Sequence, residues 1–323
     1  MKKRFVLRWI LNHCYQNTVD GNLIFYSVSD YLVYFTTFCI VARKYKVKVL
    51  ALCLMPDHIH MSVAAASNDE LSGFVGEVTS RFVSGQNEFS GCSGQLMNHP
   101  FGSAPKKGDK AARSNIIYVA NNPVERRLVK KAKDYRWGFL AYAESDHPFS
   151  EKLIQSKASR PLRRALKTVD AQHAQGRPLT YHSLKGMFAS LDKKEAQQLT
   201  DYIISKYSVI DFEEAVRFFD TYEDMIVAIN SNTGAEYDLN EVFVGKNDIY
   251  YTSMINKLIK EYGLADIHQV LSYSLDQKYE AFEMLCKYTQ APFVQVAKLL
   301  RMPFRHGKAD DIPTDAIDAV ALN

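Results

Sequence analysis

Long apolar runs are absent from this chain of 323 residues. None approaches the roughly 20 consecutive apolar residues that a helix needs to cross a bilayer, so a helical membrane protein is excluded. Cysteine is sparse: Cys14, Cys39, Cys53, Cys92 and Cys286 are scattered, odd in number and without Cys-x-x-Cys spacing. That argues against a disulfide framework or a zinc ribbon, and for a reducing compartment. No Gly-rich nucleotide loop is present, which leaves out chemistry driven by a bound nucleoside triphosphate. There is no low-complexity tract and no internal repeat. The basic start, Met1-Lys2-Lys3-Arg4-Phe5, runs into Arg8, Asn12 and His13, so it lacks a signal-peptide core. A soluble, cytoplasmic protein is expected. The formal charge of +4 is too mild to indicate a partner by itself.

The stretch that organises what remains is Met55-Pro56-Asp57-His58-Ile59-His60-Met61-Ser62-Val63. β-forming residues flank the Pro-Asp pair on both sides, which reads as strand, tight turn, strand. Around this hairpin the pattern predicts a strand over 5–14 and a turn at Asp20-Gly21-Asn22. A helix capped by Ser29 or Asp30 then runs to about residue 45, and another, capped by Asn68 or Asp69, over 68–84. A loop-rich segment over 85–108 has room for a short strand, and a helix follows over 109–121. The order implies a small antiparallel sheet with helices packed on one side, an α+β arrangement. The polar segment 144–161 carries two prolines and reads as a boundary. Three parts follow from this: a domain over 1–145, a helical domain over 146–305 and a flexible tail over 306–323. Helices are expected at 193–207, 212–219, 222–230, 248–261, 266–273, 275–289 and 293–301.

Residues i and i+2 of a strand share a face, so His58 and His60 point the same way, roughly 6–7 Å apart at the backbone. That spacing suits one shared metal ion, although two partly exposed histidines on a half-buried strand would look the same. Tyr118 and Asn122 are four apart on the later helix and share a face. Asn122-Pro123 also fits the N-cap and first turn of a further helix. Basic residues gather on either side: Lys106, Lys107, Lys110 and Arg113 before, then Arg126, Arg127, Lys130, Lys131, Lys133 and Arg136 after. Such a belt beside a metal candidate suits a polyanion, nucleic acid being the common one.

Together these pieces resemble the HUH single-strand transposases with one catalytic tyrosine, and most closely the REP-associated (IS200-like) tyrosine transposases. The resemblance rests on Val47 to His60 with its His-hydrophobe-His, on Tyr118-Val119-Ala120-Asn121-Asn122-Pro123-Val124, and on Asp134-Tyr135-Arg136-Trp137-Gly138. It implies a ferredoxin-like antiparallel sheet with helices, followed by an all-helical region. It also implies cleavage of single-stranded or hairpin DNA through a 5′-phosphotyrosine. In that scheme Tyr118 is the nucleophile, and His58, His60 and Asn122 hold Mg²⁺ or Mn²⁺. Lys106, Lys107, Lys110, Arg113, Arg126, Arg127, Lys130 and Lys131 contact DNA, and the protein acts as a monomer or homodimer. The chain departs from the family at Met97, where a Trp is common, and at Pro100, where an Arg is common. That missing cation keeps open a domesticated hairpin-binding regulator with weak or no cleavage. The helix at 293–301 is compatible either with a helix-turn-helix or with a bundle packed on the first domain.

Overall fold

Two apolar strands on either side of the Pro56-Asp57 turn form a hairpin at one edge of the sheet, and the described helices are laid against the two faces of that sheet. The computed structural model describes residues 8–231 and 249–302. Strands β1 (Asn12–Asn17), β2 (Lys48–Leu54), β3 (His58–Ala64) and β4 (Gly102–Pro105) form one sheet in the order β2-β3-β1-β4, every pair antiparallel. Helix α1 (Val28–Lys44) links β1 to β2, and α2 (Asn68–Ser90) links β3 to β4. This β-α-β-β-α-β order with its antiparallel sheet is the ferredoxin-like α+β arrangement.

Val49, Leu52, Leu54, Ile59, Met61 and Val63 face α1 and α2 in one continuous core. A bulge at Leu50 shifts the register of β2, so Leu50, Cys53 and Met55 face the other way. There they meet α3 (Asp109–Glu125). Helices therefore cover both faces of the sheet, a correction to the one-sided packing expected. All seven residues of β3 are buried as a result, including the histidines.

The first strand begins at Asn12, later than the sequence pattern suggests, because Trp9 takes a left-handed φ of 57° just before it. Residues 1–7 lie outside the described part, as does the expected tail. Ser67, not Asn68 or Asp69, caps α2, its side chain accepting from Glu70 N–H at 3.1 Å. Helix α3 does not stop before Pro123 but contains it. Asn122 is therefore no N-cap; its Nδ2 donates back to the Tyr118 carbonyl at 3.0 Å.

The later helices surround this unit. Two were not expected, α4 (Arg160–Ala174) and α5 (Tyr181–Phe188). In α4 the proline stands in the first turn, where its missing N–H does no harm. With α6 (Lys193–Tyr207) they extend the α1/α2 core through Leu162, Leu166, Leu184, Leu199 and Ile203. Short helices α7 (Phe212–Val216) and α8 (Tyr222–Asn230) cover the outer side of α3 through Phe219, Met225 and Ile229. Finally α9 (Tyr250–Tyr262), a 3₁₀ turn at Ile267–Ser272 where an α-helix was expected, α10 (Leu275–Tyr288) and α11 (Phe293–Leu300) form a cluster with Leu23 and Tyr26. Six of the eight residues of α11 are buried, which favours bundle packing over a recognition helix at this position.

Candidate active site

On the α3 face of β3 the period of two brings His58, His60 and Ser62 into line. The period of α3 brings Asn115, Tyr118 and Asn122 down onto them. Ser62 Oγ donates to Asn115 Oδ1 at 2.6 Å and fixes the register between helix and strand. The His60 and Tyr118 rings meet edge-on with centroids 5.3 Å apart, and the His58 and His60 rings do so at 4.8 Å. Of the sequence-based set, His58, His60 and Tyr118 are thus held around one buried spot, and Asn122 lies one turn beyond Tyr118 on the same face of α3.

Three polar atoms there are buried and have no hydrogen-bond partner: His58 Nε2, His60 Nε2 and Asn122 Oδ1. Leaving such atoms unsatisfied costs about 1–3 kcal/mol each, so three together call for an explanation. A divalent cation fits them, because two imidazole nitrogens and a carboxamide oxygen are suitable donors. Among the described residues no group of three or more His, Cys, Asp or Glu is arranged for a metal, so a third protein donor at this spot would come from another kind of side chain, such as the Asn122 carboxamide.

The opposite ring nitrogens are occupied. His58 Nδ1 lies 2.5 Å from Asp57 Oδ1, and His60 Nδ1 lies 3.1 Å from His13 Nε2. Donation from each Nδ1–H would leave a lone pair on Nε2, the tautomer a metal ligand needs. Burial, together with the charges of His58, His13 and Arg126, holds the His60 pKa well below the usual imidazole range. Burial and the nearby Lys106 charge push His13 down to about 3. Both rings are neutral at physiological pH. Burial alone would raise the Asp57 carboxyl, but His58, Lys298 and Arg126 outweigh it and hold it well below the carboxylate range.

His13, Asp57, Asn115 and Lys298 were not singled out from the sequence. His13 had a usable signal, since it lies on the neighbouring strand opposite Ser62. Lys298 had none, being 241 residues from its partner. The basic residues divide. Lys107, Lys110, Arg113, Arg127, Lys130 and Lys131 are exposed around the ends of α3. Lys106 is half-buried toward His13. Arg126 is only 8 % exposed, and its charge bears on Asp57 and His60, so a cation does stand at the site. Tyr118 is 2 % exposed.

A family model described as "Transposase IS200 like" matches residues 25–88, a segment that includes both histidines and ends before Tyr118, and it supports the resemblance seen in the sequence. One solved structure, that of the REP associates tyrosine transposase bound to a REP hairpin, aligns over 42% of this chain and 80% of that one, at 17% identity and TM-score 0.37. No curated protein matches the chain. Among the described residues no helix is long and apolar enough to cross a membrane.

Proposed function

We propose that the protein is a divalent-metal-dependent single-strand DNA endonuclease and transposase acting at hairpin DNA. The observation that carries this reading is the set of three unpartnered buried donors, His58 Nε2, His60 Nε2 and Asn122 Oδ1, beside the Tyr118 ring. The Tyr118 oxygen attacks the scissile phosphorus and the bond to the 3′ oxygen breaks. The products are a 5′-phosphotyrosine and a 3′-hydroxyl, the phenolic proton leaving as the 3′ oxygen gains one. A transesterification of this kind conserves the energy of the phosphodiester and needs no nucleotide cofactor. Mg²⁺ or Mn²⁺, when bound, neutralises the diester and stabilises the charge developing at phosphorus. His58, His60 and Asn122 hold it, and His13 and Asp57 orient the two rings. Arg126 adds a fixed positive charge in a low-dielectric setting. The exposed Lys107, Lys110, Arg113, Arg127, Lys130 and Lys131 bind phosphates along the strand, giving affinity and salt dependence rather than sequence preference.

The burial of Tyr118 favours one second reading, a hairpin-binding regulator with weak or no cleavage, because strand entry requires the α3 face to open. One experiment separates the two. Hairpin oligonucleotides with single-stranded flanks are incubated with the protein and Mn²⁺, and SDS-resistant adducts are sought by gel. Wild type should form the adduct, and Tyr118→Phe should bind the hairpin equally yet form none. Binding by wild type with no adduct across varied flanks supports the regulator.

A further inference from the structure

Helix α11 begins 235 residues beyond His58, yet it reaches the aspartate that lies against His58. Lys298 is 6 % exposed, and its Nζ lies 3.3 Å from Asp57 Oδ2, while Oδ1 of the same carboxylate lies against His58 Nδ1. Burying an ammonium is unfavourable unless it is paired, so the placement of this lysine has to be explained by its partner.

The surroundings hold α11 in place. Leu23 N–H donates to the Lys298 carbonyl at 3.2 Å, and Ile24 and Phe25 N–H donate to the Pro56 carbonyl at 2.8 and 3.3 Å. Residues 23–25 therefore clamp α11 to the turn that carries Asp57. Tyr26 Oη donates to Leu299 O at 2.7 Å, and Arg301 donates to Gln86 Oε1 at 2.7 Å. Gly21, at φ 67°, lies so close that a Cβ there would stand 3.0 Å from Lys298 Cε. The positive φ favours glycine at this position, and its lack of a side chain leaves the lysine stem room beside the backbone.

We infer that Lys298 is a positioning residue of the metal centre, holding the Asp57 carboxylate so that His58 Nδ1 stays occupied and Nε2 stays open. The inference rests on the metal-centre reading above. It makes the C-terminal helices part of the site rather than an appendage, since α11 supplies the third member of the Lys298–Asp57–His58 chain.

The test measures Mn²⁺ binding to the full-length protein by electron paramagnetic resonance, without DNA. Wild type should bind and His58→Ala should not; if wild type fails to bind, the metal-centre reading itself falls, and this inference with it. Given wild-type binding, Lys298→Met should weaken Mn²⁺ by about 10-fold or more, the usual loss for an outer-shell partner. Lys298→Arg should restore binding to within a few-fold. Val296→Ala, which loosens α11 in its own core without touching Asp57, should lower Tm and leave Mn²⁺ affinity unchanged. A folded Lys298→Met that binds like wild type overturns the inference. So does a loss that Val296→Ala reproduces at equal loss of Tm, or one that Lys298→Arg does not recover. Should Lys298→Met fail to fold, Lys298→Gln is judged by the same outcomes.

Discussion

Two buried histidine–aspartate pairs stand out among the described residues, and they differ in whether the second ring nitrogen has a partner. His58 Nδ1 lies against Asp57, and its Nε2 has no partner. His268, in the 3₁₀ turn before α10, has both nitrogens engaged: Nδ1 with Asp266 Oδ1 at 2.6 Å and Nε2 with Asp30 Oδ1 at 2.8 Å. Asp30 in turn accepts from Tyr26 and Ser27 N–H, Gln86 Nε2 and Tyr181 Oη. That network ties the start of α1 to α2, α5 and the C-terminal cluster. A ring with both nitrogens satisfied holds structure together, whereas a ring with one buried nitrogen left open is poised for something not yet bound. Burial alone separates nothing, because both histidines are enclosed.

The same substitution at each kind of site gives the largest contrast. His60→Leu removes a donor of the open set and should reduce adduct formation by at least about 10³-fold. Its unfolding free energy in urea should change by no more than about 1–2 kcal/mol, since a neutral contact with His13 is lost while the leucine keeps apolar contact with the neighbouring rings. His268→Leu removes the charged partner of the buried Asp30 carboxylate, leaving it only neutral donors, and should reduce stability by about 3–5 kcal/mol. Its Mn²⁺ affinity should be unchanged wherever it remains folded. Equal effects of the two substitutions on both readouts would abolish the distinction.

pH sharpens it next. Burial would lower the His268 pKa, but Asp30 and Asp266 outweigh burial and raise it to about 9 from the usual 6.5 of an imidazole. Burial would raise Asp30, but His268 and the hydrogen bonds from Tyr181 and Gln86 outweigh it and bring it to about 2 from 3.8. A raised histidine stabilises fully below 6.5, and that contribution is lost as pH rises through 9. A depressed carboxyl stabilises fully above 3.8, and that contribution is lost as pH falls through 2. Stability from this pair is therefore greatest between about pH 4 and 6.5 and should drop by up to about 3 kcal/mol by pH 9. Urea titrations at pH 6 and pH 9 measure the drop, and His268→Gln should remove most of it.

The contrast also marks what a sequence can disclose. The hairpin, the shared face of His58 and His60, and the pairing of Tyr118 with Asn122 are local, set by periods of two and 3.6 acting over a few residues. They were legible for that reason. Helix α4 was missed because Pro161 and the run of Arg160, Arg163 and Arg164 obscure an apolar stripe of four residues, and α5 because its eight residues bury only Tyr181, Leu184 and Met187. The start of β1 was misplaced because its buried residues include Asn12, His13 and Gln16, which read as surface. Lys298 and Asp57, or His268 and Asp30, meet across 241 and 238 residues, and no periodicity reports such a meeting. Site residues carried by one strand and one helix could be read; those delivered by the chain's return could not.

The smallest effect concerns redundancy. Tyr181→Phe keeps the ring stacked on Phe89, whose centroid lies 4.6 Å away, and removes only the 2.6 Å hydroxyl contact with Asp30. Because that carboxylate retains His268, Gln86 and two backbone donors, the loss should be about 1–2 kcal/mol in urea, less than the deletion of His268. Asp57 has no such reserve on its Oδ1 side, where His58 is the partner found. A Tyr181→Phe loss as large as that of His268→Leu would mean the Asp30 network fails as a unit, and satisfaction of individual atoms would no longer distinguish the two histidines. A loss near zero would place the whole of the Asp30 contribution in its ion pair, leaving the two pairs different in kind as well as in the number of partners.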